Sequence, residues 1–248
     1  MRVAVTGGSG VVGGAVVRHL VAAGDEVAAL SRSPASDAVL TGLGAVPIRG
    51  DLFDDVALGS AFAGREAVYH VAGLNLMCPT HPAELTRVNV DGAVRVVRAA
   101  RAAGVRRVVH TSSAAAIGEA AGTVGREDSP HRGHYLSHYE RSKHLAEAAV
   151  LAEADGIEVV AVNPSSVQGP GRATGTGKLI LDLLNGRLPA LVDTRLSVVD
   201  IDDCARGHLL AAERGRPGER YLLNSFSLPI REAIDLLGRV TGRELRVR

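Results

Sequence analysis

The chain has 248 residues, 46% hydrophobic but only 3% aromatic and without Trp, so it can bury one large core, with or without a small appendage, filled by Ala, Val and Leu. Its 28 basic and 27 acidic residues leave a formal charge of +1, which supplies no long-range field for nucleic acid or an anionic membrane, and neither is expected as a partner. Cys78 and Cys204 lie far apart with no CxxC spacing; they indicate neither a metal site nor a disulfide framework, and reduced, buried thiols are expected.

The first apolar segment begins at Val3 and meets glycine by Gly7, too short for the hydrophobic region of a signal peptide, and no later apolar run reaches membrane-spanning length. A cytoplasmic protein is expected. Short β-branched or Ala/Val-rich runs recur at residues 2–6, 26–31, 45–49, 66–72, 106–112 and 157–163, separated by segments of helical spacing such as 11–23, 83–103 and 136–154. Gly24 and Gly104 close two of these helices. Strand alternating with helix predicts an α/β fold, a doubly wound parallel sheet with right-handed crossovers. The alternation loosens after Pro164, where a Gly-rich stretch over residues 169–177 intervenes. Residues 1–165 therefore read as a dinucleotide-binding Rossmann domain, and residues 166–248 as a small, shortened C-terminal substrate-binding portion interleaved with it.

The opening strand runs into Thr6-Gly7-Gly8-Ser9-Gly10-Val11-Val12-Gly13 and then a helix. Glycines permit the tight turn and let backbone N–H groups approach a pyrophosphate, to which the helix N-terminus adds partial positive charge. Gly7, Gly10 and Gly13 form a GxxGxxG variant of the usual fingerprint, and its place between a first strand and a helix makes it a nicotinamide dinucleotide signal. The second strand ends Leu30-Ser31-Arg32-Ser33 without an acid for a ribose 2′-hydroxyl. A guanidinium with flanking hydroxyls suits a 2′-phosphate, so NADP is expected, with NAD the alternative. Asp51, after the third strand, is placed either to accept from adenine or to cap the helix that begins near Asp54.

Tyr139-Glu140-Arg141-Ser142-Lys143 lies in a helical segment, which puts Tyr139 and Lys143 one turn apart on one face. A phenol titrates near pH 10, too high for acid-base work at neutrality, and a neighbouring ammonium is the physical means of lowering it. The strand before this helix ends Val108-Val109-His110-Thr111-Ser112-Ser113, placing hydroxyls at the carboxyl end of a strand, where doubly wound sheets bind ligands. Pleating turns Ser112 and Ser113 to opposite faces, and the residues alone leave the choice between them open.

Thr6 to Gly13, Ser113, Tyr139-xxx-Lys143 and Asn163-Pro164-Ser165-Ser166-Val167-Gln168-Gly169-Pro170 resemble the extended short-chain dehydrogenase/reductase superfamily. Within it the chain is most similar to the NAD-dependent epimerase/dehydratase family, with its dihydroflavonol-reductase-like and sugar-epimerase-like members. The resemblance covers nearly the whole chain. It implies that Ser113 is the catalytic hydroxyl beside Tyr139 and Lys143, and that the Gly7, Ser9, Gly10, Val11, Val12 and Gly13 loop holds the cofactor with Arg32. It implies further that Asp51, Leu52, Val71, Ala72 and Gly73 border the adenine and its ribose, that Tyr139 and Lys143 also meet the cofactor, and that Pro164 and Ser166, within the stretch from Pro164 to Val167, line the nicotinamide. Gln168 stands where relatives often carry Tyr, and the chain stops at Arg248, sooner than many relatives.

Other features admit two readings. His131, His134, His138 and His144 crowd the approach to Tyr139; with no matched carboxylate they read as loop or pocket-wall histidines, and no metal is expected. Asn89 reads as the holder of a relay water or as a packing amide, Asp202 as an N-cap or a substrate contact, and residues 74–78 as a substrate wall or covered core. The expected activity is hydride transfer between NADP(H) and a carbonyl or alcohol carbon of a small organic substrate. Tyr139 would act as acid-base, Lys143 would tune it and Ser113 would polarise the oxygen. A nucleotide-sugar epimerase or dehydratase with tightly bound NAD(P) is the alternative. A non-catalytic nucleotide sensor would leave Ser113, Tyr139 and Lys143 unexplained. By analogy with the family, residues 83–103 and 136–154 would form a homodimer face.

Overall fold

The computed structural model describes residues 1–76, 79–171 and 175–245. Its first half runs β1 (Arg2–Thr6), α1 (Val11–Ala22), β2 (Glu26–Ser31), α2 (Pro34–Gly42), β3 (Val46–Arg49), α3 (Asp55–Phe62) and β4 (Ala67–His70). There follow α4 (Pro82–Thr86), a π-helical turn (Arg87–Asp91), α5 (Gly92–Ala102), β5 (Arg107–Thr111), a 3₁₀ turn (Ala114–Ala116), α6 (His138–Ala152) and β6 (Glu158–Pro164). The last third contributes β7 (Ser166–Gln168), α7 (Thr176–Leu184), β8 (Arg195–Asp200), α8 (Ile201–Arg214), β9 (Arg220–Leu223), β10 (Phe226–Pro229) and α9 (Ile230–Thr241). Among the described residues no helix is long and apolar enough to cross a membrane.

A seven-stranded sheet has the order β3-β2-β1-β4-β5-β6-β9, with every neighbouring pair parallel. The doubly wound Rossmann architecture expected from the alternation is present. Because helices cover both faces, its strands are apolar on both sides, and the pleat sorts neighbours between two cores. Val3, Val5, Val109 and Val160 join the core under α1 and α8. Ala4, Val68, Val108 and Val159 join the one under α3, α5 and α6. The strand order turns back between β1 and β4, which opens a crevice at the carboxyl edge there. The chain after β6 divides: β9 extends the main sheet, while β7, β8 and β10 form a small second sheet in the order β10-β8-β7.

Two elements depart from the sequence pattern. The helix expected over residues 83–103 is broken by the π-helical turn, whose extra residue rotates Asn89 inward to 3% exposure. Partners distant in sequence hold it there, and local periodicity carries no trace of them. At α8 the N-cap is Asp200, whose carboxylate accepts from the Asp202 and Asp203 amides at 2.8 and 3.3 Å. Asp202 instead reaches across to α1, where Arg18 and His19 each lie 3.0 Å from it. Met77, Cys78 and residues 172–174 of the Gly-rich stretch lie outside the described residues. Cys204 is buried with a free thiol, and burial pushes its pKa up to about 12.

The β1–α1 turn is a steric requirement. Gly7 has φ +75°, and a Cβ on Gly13 would lie 2.1 Å from the Gly7 carbonyl oxygen, whereas one on Gly59 in α3 would meet nothing within 4 Å. Gly13→Ala should therefore lower Tm by roughly 4–10 °C. Gly59→Ala should leave it unchanged or raise it by about 1–4 °C through the gain in helix propensity. Thermal unfolding of the two variants beside wild type checks this; equal Tm values would contradict it.

Candidate active site

The cofactor end of the crevice is built by close backbone approach. A side chain at Gly7 would put its Cβ 2.6 Å from the Ala72 amide nitrogen, so only glycine lets the β1–α1 turn lie against the segment after β4. That contact is reinforced by Thr6, whose hydroxyl accepts from the Ala72 amide at 3.4 Å. Gly10 is the N-cap residue of α1 and no side chain caps that end, so the first-turn amides are left for an anion. Ser9, Gly10 and Val11 are exposed, and Val12 is half-buried against the core. This cradle, with its glycine-only clearances and uncapped helix end, fits a dinucleotide pyrophosphate.

At the next two strand ends Arg32 and Asp51 line a recess of about 220 Å³ with Arg49, Gly50 and Asp54. The cap of α3 is Asp54, which accepts from the Ala57 amide at 3.0 Å. Asp51 accepts from the Phe53 amide at 2.7 Å and remains at the rim. Leu52 turns into the core under α5, so it offers a nucleotide only its backbone. Val71 and Ala72 likewise pack on the cores, and Gly73 is exposed above them.

The other end of the crevice is organised by α6. Ser137 caps this helix by accepting from the Glu140 amide at 3.0 Å, which sets Tyr139 in the first turn and Lys143 one turn further on. The Lys143 ammonium donates to the Thr111 carbonyl oxygen at 2.7 Å, pinning α6 to the end of β5. His144 of α6 hydrogen-bonds the Ala116 carbonyl at 3.0 Å, so the helix also packs on the 3₁₀ turn that Ser113 initiates. Ser113 is half-buried and its hydroxyl accepts from the Ala115 amide at 3.2 Å. Ser112, on the opposite pleat, is 4% exposed, and its hydroxyl has no partner among the described residues. The pleat thus leaves Ser113 as the hydroxyl at the crevice. Pro164 ends β6, and Ser166 begins β7 opposite Val198 of β8, with Gln168 donating back to the Ser166 hydroxyl at 2.9 Å.

Burial shapes the electrostatics here. Loss of hydration pushes the Lys143 ammonium down to about 8, against the opposing pull of Glu147 one turn along the same face. Glu147 is itself buried and accepts from Asn163 Nδ2 at 2.6 Å and from Arg220 at 3.0 Å. Asn163 Nδ2 also reaches the Ser113 carbonyl at 3.0 Å. Arg220, on β9, donates in turn to the Glu127 and Ser129 carbonyls at 2.7 and 3.1 Å, fastening the loop that leads to Tyr139. Behind Lys143, His70 and His110 are fully buried with ring centroids 5.3 Å apart. Desolvation and the Lys143 charge hold His70 down to about 3 and His110 well below the ordinary imidazole value.

Every residue expected at the site falls on the carboxyl edge of the sheet: the cofactor set along β1 to β4, and Ser113, Tyr139, Lys143, Pro164 and Ser166 around β5 and β6. The Asn89 amide is engaged within the chain. It accepts from the Leu74 amide at 2.7 Å and donates to the Leu74 carbonyl at 3.0 Å and the Ser142 hydroxyl at 2.9 Å. His131 and His144 are in tilted ring contact, with centroids 4.1 Å apart and planes at 43°, and Tyr135 lies beside both. Arg49, Glu147 and Arg220 were not singled out in the sequence, and Asn163 only as the first residue of a family-like stretch. Of the three, only Glu147 had a local signal, its i+4 spacing from Lys143.

This sheet and crevice define an NAD(P)-dependent oxidoreductase of the extended short-chain type. The chain belongs to the NAD dependent epimerase/dehydratase family, whose profile matches residues 3–223. It is 37% identical over 248 residues to sterol demethylase protein B of Methylococcus capsulatus, covering 98% of this chain and 75% of that protein. It is 32% identical over 254 residues to the 2-alkyl-3-oxoalkanoate reductase of Stenotrophomonas maltophilia, covering 98% of this chain and 76% of the relative. Among solved structures, the dTDP-glucose 4,6-dehydratase DesIV of Streptomyces venezuelae, with NAD and TYD bound, superposes with a TM-score of 0.85 at 26% identity, covering 100% of this chain and 84% of that one.

The Lys143 environment has a consequence for stability. Its pKa is about 8 when folded against 10.5 unfolded, so between these values the unfolded chain holds a proton that the folded chain has released, and stability rises with pH. Across that window wild type should gain roughly 3 kcal/mol relative to Lys143→Met. Denaturant unfolding of both proteins across the window measures the difference; a constant difference would contradict the assignment.

Proposed function

We propose that this protein is an NADP(H)-dependent reductase that converts a carbonyl of a small organic substrate to the alcohol, or runs the reverse oxidation. The observation that carries the reading is the buried Lys143 ammonium, anchored on the Thr111 carbonyl one helical turn from Tyr139, with Ser113 at the end of the same strand. The glycine cradle and the α1 N-terminus would hold the pyrophosphate, and Arg32, with no acid beside it on β2, favours the 2′-phosphate form. When bound, the nicotinamide supplies or accepts the hydride.

The protein's own part is proton handling and polarisation. Ser113 donates a hydrogen bond to the substrate oxygen, drawing charge from the carbonyl carbon. The Tyr139 phenol gives that oxygen its proton during reduction and takes it back during oxidation. Lys143 lies on the same helix face, where its positive charge favours the ionised phenol and its ammonium can meet ribose hydroxyls. Glu147, Asn163 and Arg220 keep Lys143 and the Ser113 backbone in register.

The match to DesIV, a dehydratase holding NAD, supports a second reading, a nucleotide-sugar epimerase or dehydratase in which the same residues work on a retained cofactor. The two readings differ in cofactor exchange. A reductase should consume added NADPH in proportion to product and release little nucleotide when the purified protein is denatured by heat; near one released nucleotide per chain would favour the second reading. On a substrate found by screening ketones and aldehydes, Tyr139→Phe should lower kcat/KM by about 10²- to 10⁴-fold, and Ser113→Ala by about 10²-fold or more. NADPH affinity should change little in Ser113→Ala. Normal turnover by Tyr139→Phe would refute the proton assignment.

A further inference from the structure

We infer that Arg49 is a second phosphate-reading residue, acting with Arg32 on the 2′-phosphate of the cofactor. This deepens the NADP reading above and rests on it. Arg49 ends β3 opposite Ser31 on β2, and the Gly50 amide donates to the Ser31 carbonyl at 2.9 Å, so the ends of the two strands, and the two arginines near them, are clasped side by side. Both arginines line the same recess of about 220 Å³. It lies at the carboxyl ends of β2 and β3, the adenosine end of a crevice of this kind.

The acids around the recess are each engaged through one carboxylate oxygen, while Asp37 Oδ1 is buried with no hydrogen-bond partner among the described residues. Asp37, in the first turn of α2, forms an ion pair with one amino group of Arg49. The Ser31 hydroxyl and then the Arg49 guanidinium hold the Asp37 carboxyl below its ordinary range. Asp51 accepts from the Phe53 amide at 2.7 Å, and Asp54 caps α3 through the Ala57 amide at 3.0 Å, where the positive end of the helix offsets their charge. The donors left over belong to the arginines. Arg49 uses a single amino group on Asp37, which orients its fork, and its remaining N–H groups have no hydrogen-bond partner among the described residues. Arg32 makes no hydrogen bond among the described residues and is exposed at the same rim. Two planar forks facing one recess match the several acceptor oxygens of a phosphate dianion better than one can.

The test uses two fragments that share the adenosine and 5′-phosphate and differ in the 2′-phosphate, namely 2′,5′-ADP and 5′-AMP. Calorimetric titration into wild type should show 2′,5′-ADP binding the more tightly. Arg49→Gln should weaken 2′,5′-ADP by about tenfold, Arg32→Gln by at least as much, and the double variant should bind the two fragments alike. Affinity for 5′-AMP should remain within about twofold throughout, which also reports an intact recess. Arg49 is exposed beside a half-buried Asp37, so thermal unfolding of each variant beside wild type checks that the fold is retained. If Arg49→Gln bound 2′,5′-ADP as wild type does while Arg32→Gln did not, or weakened both fragments equally, the inference about Arg49 would be overturned with the NADP reading intact. If wild type itself bound the two fragments equally, the NADP reading would fall first.

Discussion

The buried hydrogen bond from the Lys143 ammonium to the Thr111 carbonyl, 2.7 Å long, joins the helix that carries the candidate acid to the strand that carries the candidate hydroxyl. A cation placed there is costly, because burial removes the water that would otherwise solvate it. The surrounding structure offsets that cost in stages. Thr111 gives its carbonyl to Lys143 and its hydroxyl to His208 on α8 at 2.9 Å, and His208 in turn meets the Cys204 carbonyl at 2.7 Å. Glu147 supplies the opposing charge, and Asn163 and Arg220 hold Glu147. One ammonium therefore engages β5, β6, β9, α6 and α8.

That arrangement ties the last third of the chain to the main sheet. Arg220 reaches Glu147 only because β9 returns to the main sheet beside β6, in register from Ala161 with Arg220 to Pro164 with Leu223. The same arginine secures the loop before Tyr139. The placing of the candidate residues at one edge of the sheet thus depends on a strand that arrives after the small second sheet has begun.

Most of the main sheet was legible in the residues, and for a physical reason. A parallel sheet covered on both faces needs strands that are apolar throughout, so runs such as Val-Ala-Val and Val-Val-His stand out against the helices. The shared helix face of Tyr139 and Lys143 was legible through i+4 spacing, whereas strand-end position alone left Ser112 and Ser113 open and only the family resemblance pointed to Ser113. The strand-by-strand split of the C-terminal portion was not, because β9 has no local feature that assigns it to one sheet and β10 to the other. The inward turn of Asn89 was hidden as well, since it is dictated by Leu74 and Ser142, one before it in the chain and one far after. Arg49 looked like any arginine at a strand end until α2 placed Asp37 against it.

If the cradle and the buried lysine serve one ligand from opposite ends, a crystal structure of the protein with NADP⁺ should show the pyrophosphate over Gly7, Gly10 and Gly13, and the nicotinamide ribose within hydrogen-bond reach of Tyr139 and Lys143. A cofactor whose nicotinamide end lies away from β5 and α6, with Lys143 still closed off beneath the Thr111 carbonyl, would contradict that reading.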